Sequence, residues 1–157
     1  MILARVLDTT EALRASLEAE VEVARGERVL IRNIDVAGLQ ERARKRGEFN
    51  QRTADLQLQL ASDLRAACDA LGLRDVTLSE IQARLPVEGQ ALGRALANLR
   101  ALAAALLELD GLNQTLGRRA LSYVRAHLAV LRPRSISYTR RGSSPVEVRS
   151  STHVRVA

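Results

Sequence analysis

The sequence contains one cysteine and two histidines, the side chains that combine as a thiol nucleophile and its base or as metal ligands: Cys68, His127 and His153. A thiol beside an imidazole can become an activated nucleophile. Cys68, however, lies in an Ala-rich helical stretch, where a free cysteine usually packs as a small apolar residue. The chain has no HExxH or CxxC motif, no Gly-rich phosphate loop and no nucleophile elbow. We therefore predict a protein without catalytic residues, without a metal site and without a cofactor.

The remaining chemically distinctive residues lie in a long apolar pattern from Leu92 to Leu131. Leu or Val recurs there at threes and fours, which predicts one long amphipathic helix. Asn113 interrupts this seam, and a polar residue at such a position can fix helix register or oligomeric state, or bind the backbone of a partner. Gly93, Gly111 and Gly117 each cost about 1 kcal/mol relative to Ala inside a helix. Two interpretations stay open for them: they allow a neighbouring helix to approach or the helix to bend, or they form a groove for a partner.

The spacing of apolar residues along the whole chain predicts an all-α fold. The predicted helices cover residues 3–32, 36–71, 78–85 and 88–131, which together form one domain, residues 1–131. The first two should pair as an antiparallel hairpin, and the long last helix should complete an elongated three-helix bundle or coiled coil. Residues 132–157 are rich in Ser, Arg, Gly and Thr, which predicts a flexible basic tail.

Local signals at the helix ends support these boundaries. Asp35 is placed to cap the second helix, and Gly72 follows it where a left-handed cap residue is expected. Thr77 and Glu80 have the spacing of a capping box at the start of the short third helix, and Pro86 should end that helix. These residues predict turns between helices and no strands.

Composition limits the functional classes. The 157 residues are 46% apolar with almost no aromatic residues and a single cysteine, so they favour helix-on-helix packing and allow no intramolecular disulfide. The net charge of +6 is uneven, because residues 132–157 contain six Arg and one acid. The chain has no signal peptide and no apolar run long enough to span a bilayer, so we expect a soluble cytoplasmic protein.

A second basic feature lies within the predicted second helix. Between Arg42 and Arg52 the sequence contains the consecutive cations Arg44, Lys45 and Arg46. A charge run of this kind usually marks the solvated outer face of a helix, and the alternative is a phosphate-binding patch.

Several of these residues resemble the FlgN family of flagellar export chaperones. The segment 112–114, Leu-Asn-Gln, followed by Gly117, is similar to the family's Leu-Asn…Asn-Gly signature, with Leu116 where a second Asn is usual. Tyr138 with Gly142 four residues later resembles the family's tail motif. The layout of hairpin, link, long helix and tail is also similar, so the resemblance covers nearly the whole chain.

The resemblance implies a chaperone of type III flagellar export. Such a protein would bind the C-terminal segments of FlgK- and FlgL-like hook-filament junction proteins, prevent their premature assembly and deliver them to an FlhA-like export gate. It would be a monomer or homodimer, with no membrane insertion and no nucleic-acid partner. Tyr138 and Gly142 would dock at the gate. Cargo would bind the second half of the long helix, where the seam, its polar break and a glycine occur together, at Leu106, Leu109, Asn113, Leu116, Gly117, Ala120, Val124 and Leu128.

Two other functional classes remain as alternatives. Residues 77–99 have the pattern of a helix-turn-helix DNA reader, in which Gln90, Arg94 and Asn98 would face the bases. The would-be recognition helix, however, continues for about nine further turns, a poor shape for a compact reader. The second alternative is a self-associating coiled-coil scaffold in which Asn113 fixes the register.

Overall fold

The computed structural model describes residues 2–73 and 77–131. These residues form four helices: α1 (Ala4–Asn33), α2 (Val36–Leu71), α3 (Leu78–Arg84) and α4 (Pro86–Leu131). The described ranges contain no strand, and the predicted all-α class is confirmed. The helix bounds differ from the predicted ones by at most two residues. The predicted tail, with Tyr138, Gly142 and His153, lies outside the described residues.

The chain divides into two compact units, Met1–Leu121 and Ser122–Ala157, and each is described by itself. In the first unit α1 and α2 form an antiparallel hairpin. The α4 helix follows α1 in the same direction, because Leu3 pairs with Glu88 near one end and Ala24 pairs with Asn113 farther along. The two residues of the first pair are 85 positions apart in sequence and those of the second pair 89, so α1 and α4 keep nearly constant register over this length.

One end of the first unit has a large apolar core. The start of α1, the end of α2, all of α3 and the start of α4 meet there. Its fully packed members are Leu3, Val6, Ala67, Cys68, Ile81 and Leu92. Burying an aliphatic side chain contributes about 1.5–3 kcal/mol, so this first cluster fixes α3 and the beginning of α4 on the hairpin.

Gly89 explains how closely α3 and α4 pack at this end. A Cβ atom added to Gly89 would lie 2.8 Å from the Cα atom of Gln82, a distance that real side chains do not reach. The Gln82 side chain also donates to the carbonyl oxygen of Gly89, at 3.4 Å. The predicted role of glycine in close helix approach therefore applies here, at a position where the sequence did not suggest it.

A second, smaller apolar cluster lies farther along α1, α2 and α4. Val21 and Ala24 of α1 contact Leu106 of α4, and the partly buried side chains of Leu17, Phe49 and Leu109 pack around them. Between the clusters, Thr9 donates a hydrogen bond to the buried carboxylate of Asp63 at 2.9 Å, joining α1 to α2. The hairpin is thus held by apolar contacts at two levels with a polar contact between them.

The helix ends agree with the predicted capping residues. Asp35 accepts a hydrogen bond from the backbone N–H of Gly38 at 2.9 Å, and Thr77 accepts one from Glu80 at 3.4 Å. Gly72 ends α2 in the left-handed conformation, with φ of 65°. Ile34 ends α1 in the same conformation, with φ of 53°, which is strained for a β-branched residue. Pro86 both ends α3 and begins α4, where its missing N–H costs nothing.

Candidate functional site

The first two residues of the predicted cargo site are covered within the protein. Leu106 is 6% exposed because it packs between Val21 and Ala24 of α1. Leu109 packs against the same second cluster and is half-buried. These two side chains complete the contact between α1 and α4, so a partner can reach them only if that contact opens.

Asn113 is also turned toward α1. It is 4% exposed, and its Nδ2 donates to the carbonyl oxygen of Ala24 at 2.8 Å. Its Oδ1 is buried without a hydrogen-bond partner among the described residues. The polar break that the sequence singled out therefore joins two helices of this chain, which is the type of contact that fixes helix register.

A charged network lies beside Asn113. Glu20 of α1 accepts hydrogen bonds from Arg42 at 2.5 Å and from Arg46 at 2.7 Å, and Arg42 also reaches Glu27 at 3.1 Å. Arg46 continues to α4, where it contacts both carboxylate oxygens of Asp110, at 2.5 and 3.3 Å. We call this network together with Asn113 the polar layer; it comprises Glu20, Glu27, Arg42, Arg46, Asp110 and Asn113.

The sequence predicted that the basic side chains between Arg42 and Arg52 lie on the outer, solvated face of α2. The polar layer shows that this is wrong for Arg42. The side chain of Arg42 is 7% exposed between Glu20 and Glu27, so it lies inside the hairpin, away from solvent. Burial opposes the charge of Arg46, but its hydrogen bonds to Glu20 and Asp110 raise its pKa overall. The prediction failed for Arg42 because its carboxylate partners come from another helix and leave no mark in the α2 sequence.

Arg44 and Lys45 do lie on the solvated face. Arg44 pairs with Glu41 and Glu48 on the same helix, and Lys45 lies 3.6 Å from Glu41. The hydrogen bond from Arg44, followed by the charges of Arg44 and Lys45, lowers the pKa of Glu41 to about 2. These pairs at helical spacing favour a solvated face over a phosphate-binding patch.

The middle of the predicted site is more accessible than its beginning. Leu116, Gly117 and Ala120 are all half-buried. A Cβ atom added to Gly111 or Gly117 would meet no atom within 4 Å, so neither glycine is required by a neighbouring helix among the described residues. The interpretation of these two glycines as close-approach positions is wrong, and each borders open space along α4.

Sequence reasoning missed the most exposed apolar residues of this segment. Leu107 is 74% exposed, and Leu112 and Leu121 are also exposed. Each lies next to a seam position, and an apolar pattern that follows a single stripe does not include it. The signal was present in the doublet Leu106-Leu107, because neighbouring residues on a helix point about 100° apart and cannot both face α1.

The second unit contains the last ten residues of α4. Val124, Leu128 and Leu131 have i, i+4, i+7 spacing and share one helix face; Val124 is half-buried and the other two are exposed. On the neighbouring face the rings of Tyr123 and His127 lie 4.2 Å apart at 44°. The predicted residues Val124 and Leu128 thus belong to an apolar stripe of this segment.

The one cysteine has the environment of a packing residue. Cys68 is buried in the first cluster. Burial, and then the charges of Asp69 and Glu80, raise the pKa of its thiol, which disfavours the nucleophilic thiolate. In the described ranges, 2–73 and 77–131, no group of acidic, His and Cys side chains is arranged to hold a metal ion.

Comparisons with known proteins assign the chain to a family. A family model described as FlgN protein matches residues 1–145. No curated protein and no solved structure matches the chain. None of the helices in the part that the structure describes combines the length and apolar character needed to cross a membrane.

Proposed function

The chain belongs to the FlgN family of flagellar export chaperones, and from this we propose its cargo and its destination. It binds, in the cytoplasm, the C-terminal segments of FlgK- and FlgL-like hook-filament junction proteins. Binding keeps these segments from assembling early, and the loaded chaperone delivers them to an FlhA-like export gate. The proposal requires no catalytic residue and no cofactor.

The observation that carries the proposal is the apolar surface that α4 leaves exposed. Leu107, Leu112 and Leu121 are exposed on a helix whose other side already packs on the hairpin. Leu112 lies four residues before the half-buried Leu116 and shares its helix face, whereas Leu107 and Leu121 lie on the other flank of the same segment. Exposed apolar surface of this kind marks binding surfaces, and an amphipathic cargo helix can bury one flank in the helix-in-groove mode, without any chemical step. The same masking keeps a cargo segment from forming its coiled coil before it reaches the filament.

The cargo site proposed here includes all eight residues predicted from the sequence, at two levels of access. Leu116, Gly117 and Ala120 are half-buried, and Val124 and Leu128 lie farther along α4. These five residues are accessible to cargo without any movement of α4. Leu106, Leu109 and Asn113 contact α1 in this conformation and become available only after α4 moves.

Charge substitution at exposed positions tests the cargo site. The last few dozen residues of a junction protein, as a peptide, should bind the full chain one to one in calorimetry. The double variant Leu107→Asp, Leu112→Asp should weaken binding at least tenfold, because a tenfold change is about 1.4 kcal/mol and burial of one Leu contributes about 1.5–3 kcal/mol. Leu116→Asp should do the same. Helicity should not change in the double variant, because both side chains face solvent.

Leu58→Asp is the matched control. Leu58 is as exposed as Leu107 but lies on α2, so the same substitution there should leave the affinity unchanged. Equal affinity of the double variant and the control would refute the placement on α4. Loss of binding in the control as well would indicate a general effect of added negative charge.

The gate-docking role assigned to Tyr138 and Gly142 has a separate test. Both residues lie outside the described part of the chain, so this role rests on the sequence resemblance alone. Tyr138→Ala should leave the peptide affinity unchanged and reduce secretion of junction proteins by cells. A variant that loses cargo instead would place Tyr138 in the cargo site.

A further inference from the structure

The polar layer supports an inference about how cargo access is regulated, which rests on the proposed function. We propose that the layer is a latch: it holds the segment Leu106–Leu121 of α4 against the hairpin and thereby keeps Leu106 and Leu109 from cargo. Cargo binds these residues when the latch opens. The contact between α1 and α4 is therefore autoinhibitory.

The geometry of the layer suits a latch because it meets α4 at only two residues. Asp110 receives the bidentate contact from Arg46 of α2, and Asn113 donates to the backbone of Ala24 of α1. The remaining members, Glu20, Glu27 and Arg42, pair with one another or with Arg46 within the hairpin. Releasing α4 consequently breaks few polar contacts and leaves the charges of the hairpin paired.

The hydrogen bonding of the polar layer is also incomplete when α4 is docked. Asn113 Oδ1 and Arg42 Nη1 are buried without a hydrogen-bond partner in the described part of the chain. A buried polar atom left unpaired loses its hydration without compensation, and desolvation of charged groups offsets much of their attraction. These losses are recovered when α4 opens and water enters, so the closed state is only weakly favoured at this level.

The two apolar clusters place the opening at one end of α4. In the first cluster, Leu3, Ile81 and Leu92 are completely buried and surrounded by further apolar side chains. The second cluster has only Val21, Ala24 and Leu106 as fully packed members. Local opening follows the weaker contacts of a structure. The segment beyond Leu106 should open while the start of α4 stays docked.

This arrangement connects opening to affinity in a quantitative way. If only the open state binds cargo fully, the apparent Kd equals the intrinsic Kd divided by the open fraction. While that fraction is small, any change that multiplies it must divide the apparent Kd by the same factor. Amide hydrogen exchange of Leu106–Leu121 measures the open fraction independently of cargo.

The decisive variant removes the latch from the hairpin side, so that α4 itself is unchanged. Arg46→Ala breaks the contact with Asp110, while Glu20 keeps its bond to Arg42. We expect exchange in Leu106–Leu121 to become about fivefold faster, the upper end of what a partly exposed ion pair contributes to an equilibrium. The Kd for the junction-protein peptide should fall by the same factor. Exchange around Leu92 should not change.

Arg44→Ala is the matched control, because Arg44 lies two residues away on α2 and pairs only with Glu41 and Glu48 of its own helix. It should change neither the exchange nor the affinity. Asp110→Asn releases the same pair from α4 and should act in the same direction as Arg46→Ala. This second variant preserves the test if Arg46→Ala does not fold.

Three results would overturn the latch. Exchange that stays unchanged in both variants would mean that the pair does not hold α4. Faster exchange with unchanged or weaker peptide affinity would mean that cargo does not compete with the hairpin, and the proposed function would survive because binding persists. Absence of peptide binding by the unmodified protein would instead refute the proposed function, and the latch with it.

Discussion

Nδ2 of Asn113 donates a hydrogen bond to the carbonyl oxygen of Ala24 at 2.8 Å, joining two residues that are 89 positions apart. The acceptor belongs to a helix backbone, so the contact specifies one axial position of α4 along α1. A Leu at position 113 would allow neighbouring registers, because apolar seams of Leu and Ala slide with little change in buried area. Asn113 therefore fixes the position of α4 along α1 more than it stabilises the fold.

Substitutions at Asn113 should separate these two contributions. Asn113→Ala should lower the free energy of unfolding by only about 1 kcal/mol, because one hydrogen bond is lost and an unpaired oxygen is removed with it. Asn113→Asp should cost more, up to about 3 kcal/mol, since it places a buried carboxylate against the Ala24 carbonyl oxygen, and the free energy of opening this part of α4 sets the upper limit. Urea denaturation measures both. Equal costs for the two variants would mean that the side chain does not face Ala24.

Substitutions of the two left-handed residues that follow α1 and α2 should change the free energy of unfolding in opposite directions. Ile34 has φ of 53° and a β-branched side chain, whereas Gly72 has φ of 65° and no side chain. A left-handed conformation costs an L-residue roughly 1–2 kcal/mol. Ile34→Gly should therefore raise the free energy of unfolding by about 1 kcal/mol, after allowance for the greater flexibility of glycine.

Gly72→Ala is the reciprocal test. A Cβ atom at Gly72 would meet nothing within 4 Å, so its cost of about 1 kcal/mol would come from the backbone alone. Thermal and urea unfolding should show shifts of opposite sign for the two variants. A stabilising Gly72→Ala would contradict the left-handed end of α2.

Two glycines of α4 provide a similar contrast. Gly89→Ala would bring a methyl group to 2.8 Å from the Gln82 backbone, and the resulting overpacking should destabilise the protein by about 1–3 kcal/mol. Gly111→Ala adds a methyl group in open space and should stabilise α4 by up to about 1 kcal/mol. Calorimetric unfolding should separate the two variants by several degrees. If both variants are stabilised, α3 does not approach α4 as described.

Local features of the fold were predictable from the sequence because their causes are local. Asp35 and Thr77 bond to backbone groups three residues away, and Gly72 needs only its own conformational freedom. Ile34 was not predictable as a left-handed residue, since nothing in its type favours that conformation. Its geometry is imposed by the tight turn between two long helices.

The candidate site depends on partners distant in sequence, so the sequence predicted only part of it. The seam correctly identified Leu106 and Asn113 as special positions of α4, but an amphipathic stripe does not say whether it faces the hairpin or a partner. Their burial is decided by Val21 and Ala24, more than 80 residues earlier. The prediction of a solvated Arg42 is wrong for the same reason, because its partners Glu20 and Glu27 belong to α1.

Cys68 provides a test of how the two ends of α4 differ in stability. Its thiol is buried in the first cluster, and burial raises its pKa above the ordinary value of 9.0. Alkylation by iodoacetamide at pH 8 should therefore be slow in the folded protein and fast in urea. Because the unfolded chain releases the thiol proton first, the stability contributed by Cys68 should be intact below pH 9.0 and decline as the pH rises above it.

The same labelling can be carried out on Arg46→Ala. If α4 opens only beyond Leu106, faster amide exchange in that segment should leave the labelling rate of Cys68 unchanged, because the first cluster stays closed. A labelling rate that increases by the same factor as the exchange would show that the helices separate as one unit. The polar layer would then stabilise the whole fold, since a local latch can speed exchange only in the segment that it holds.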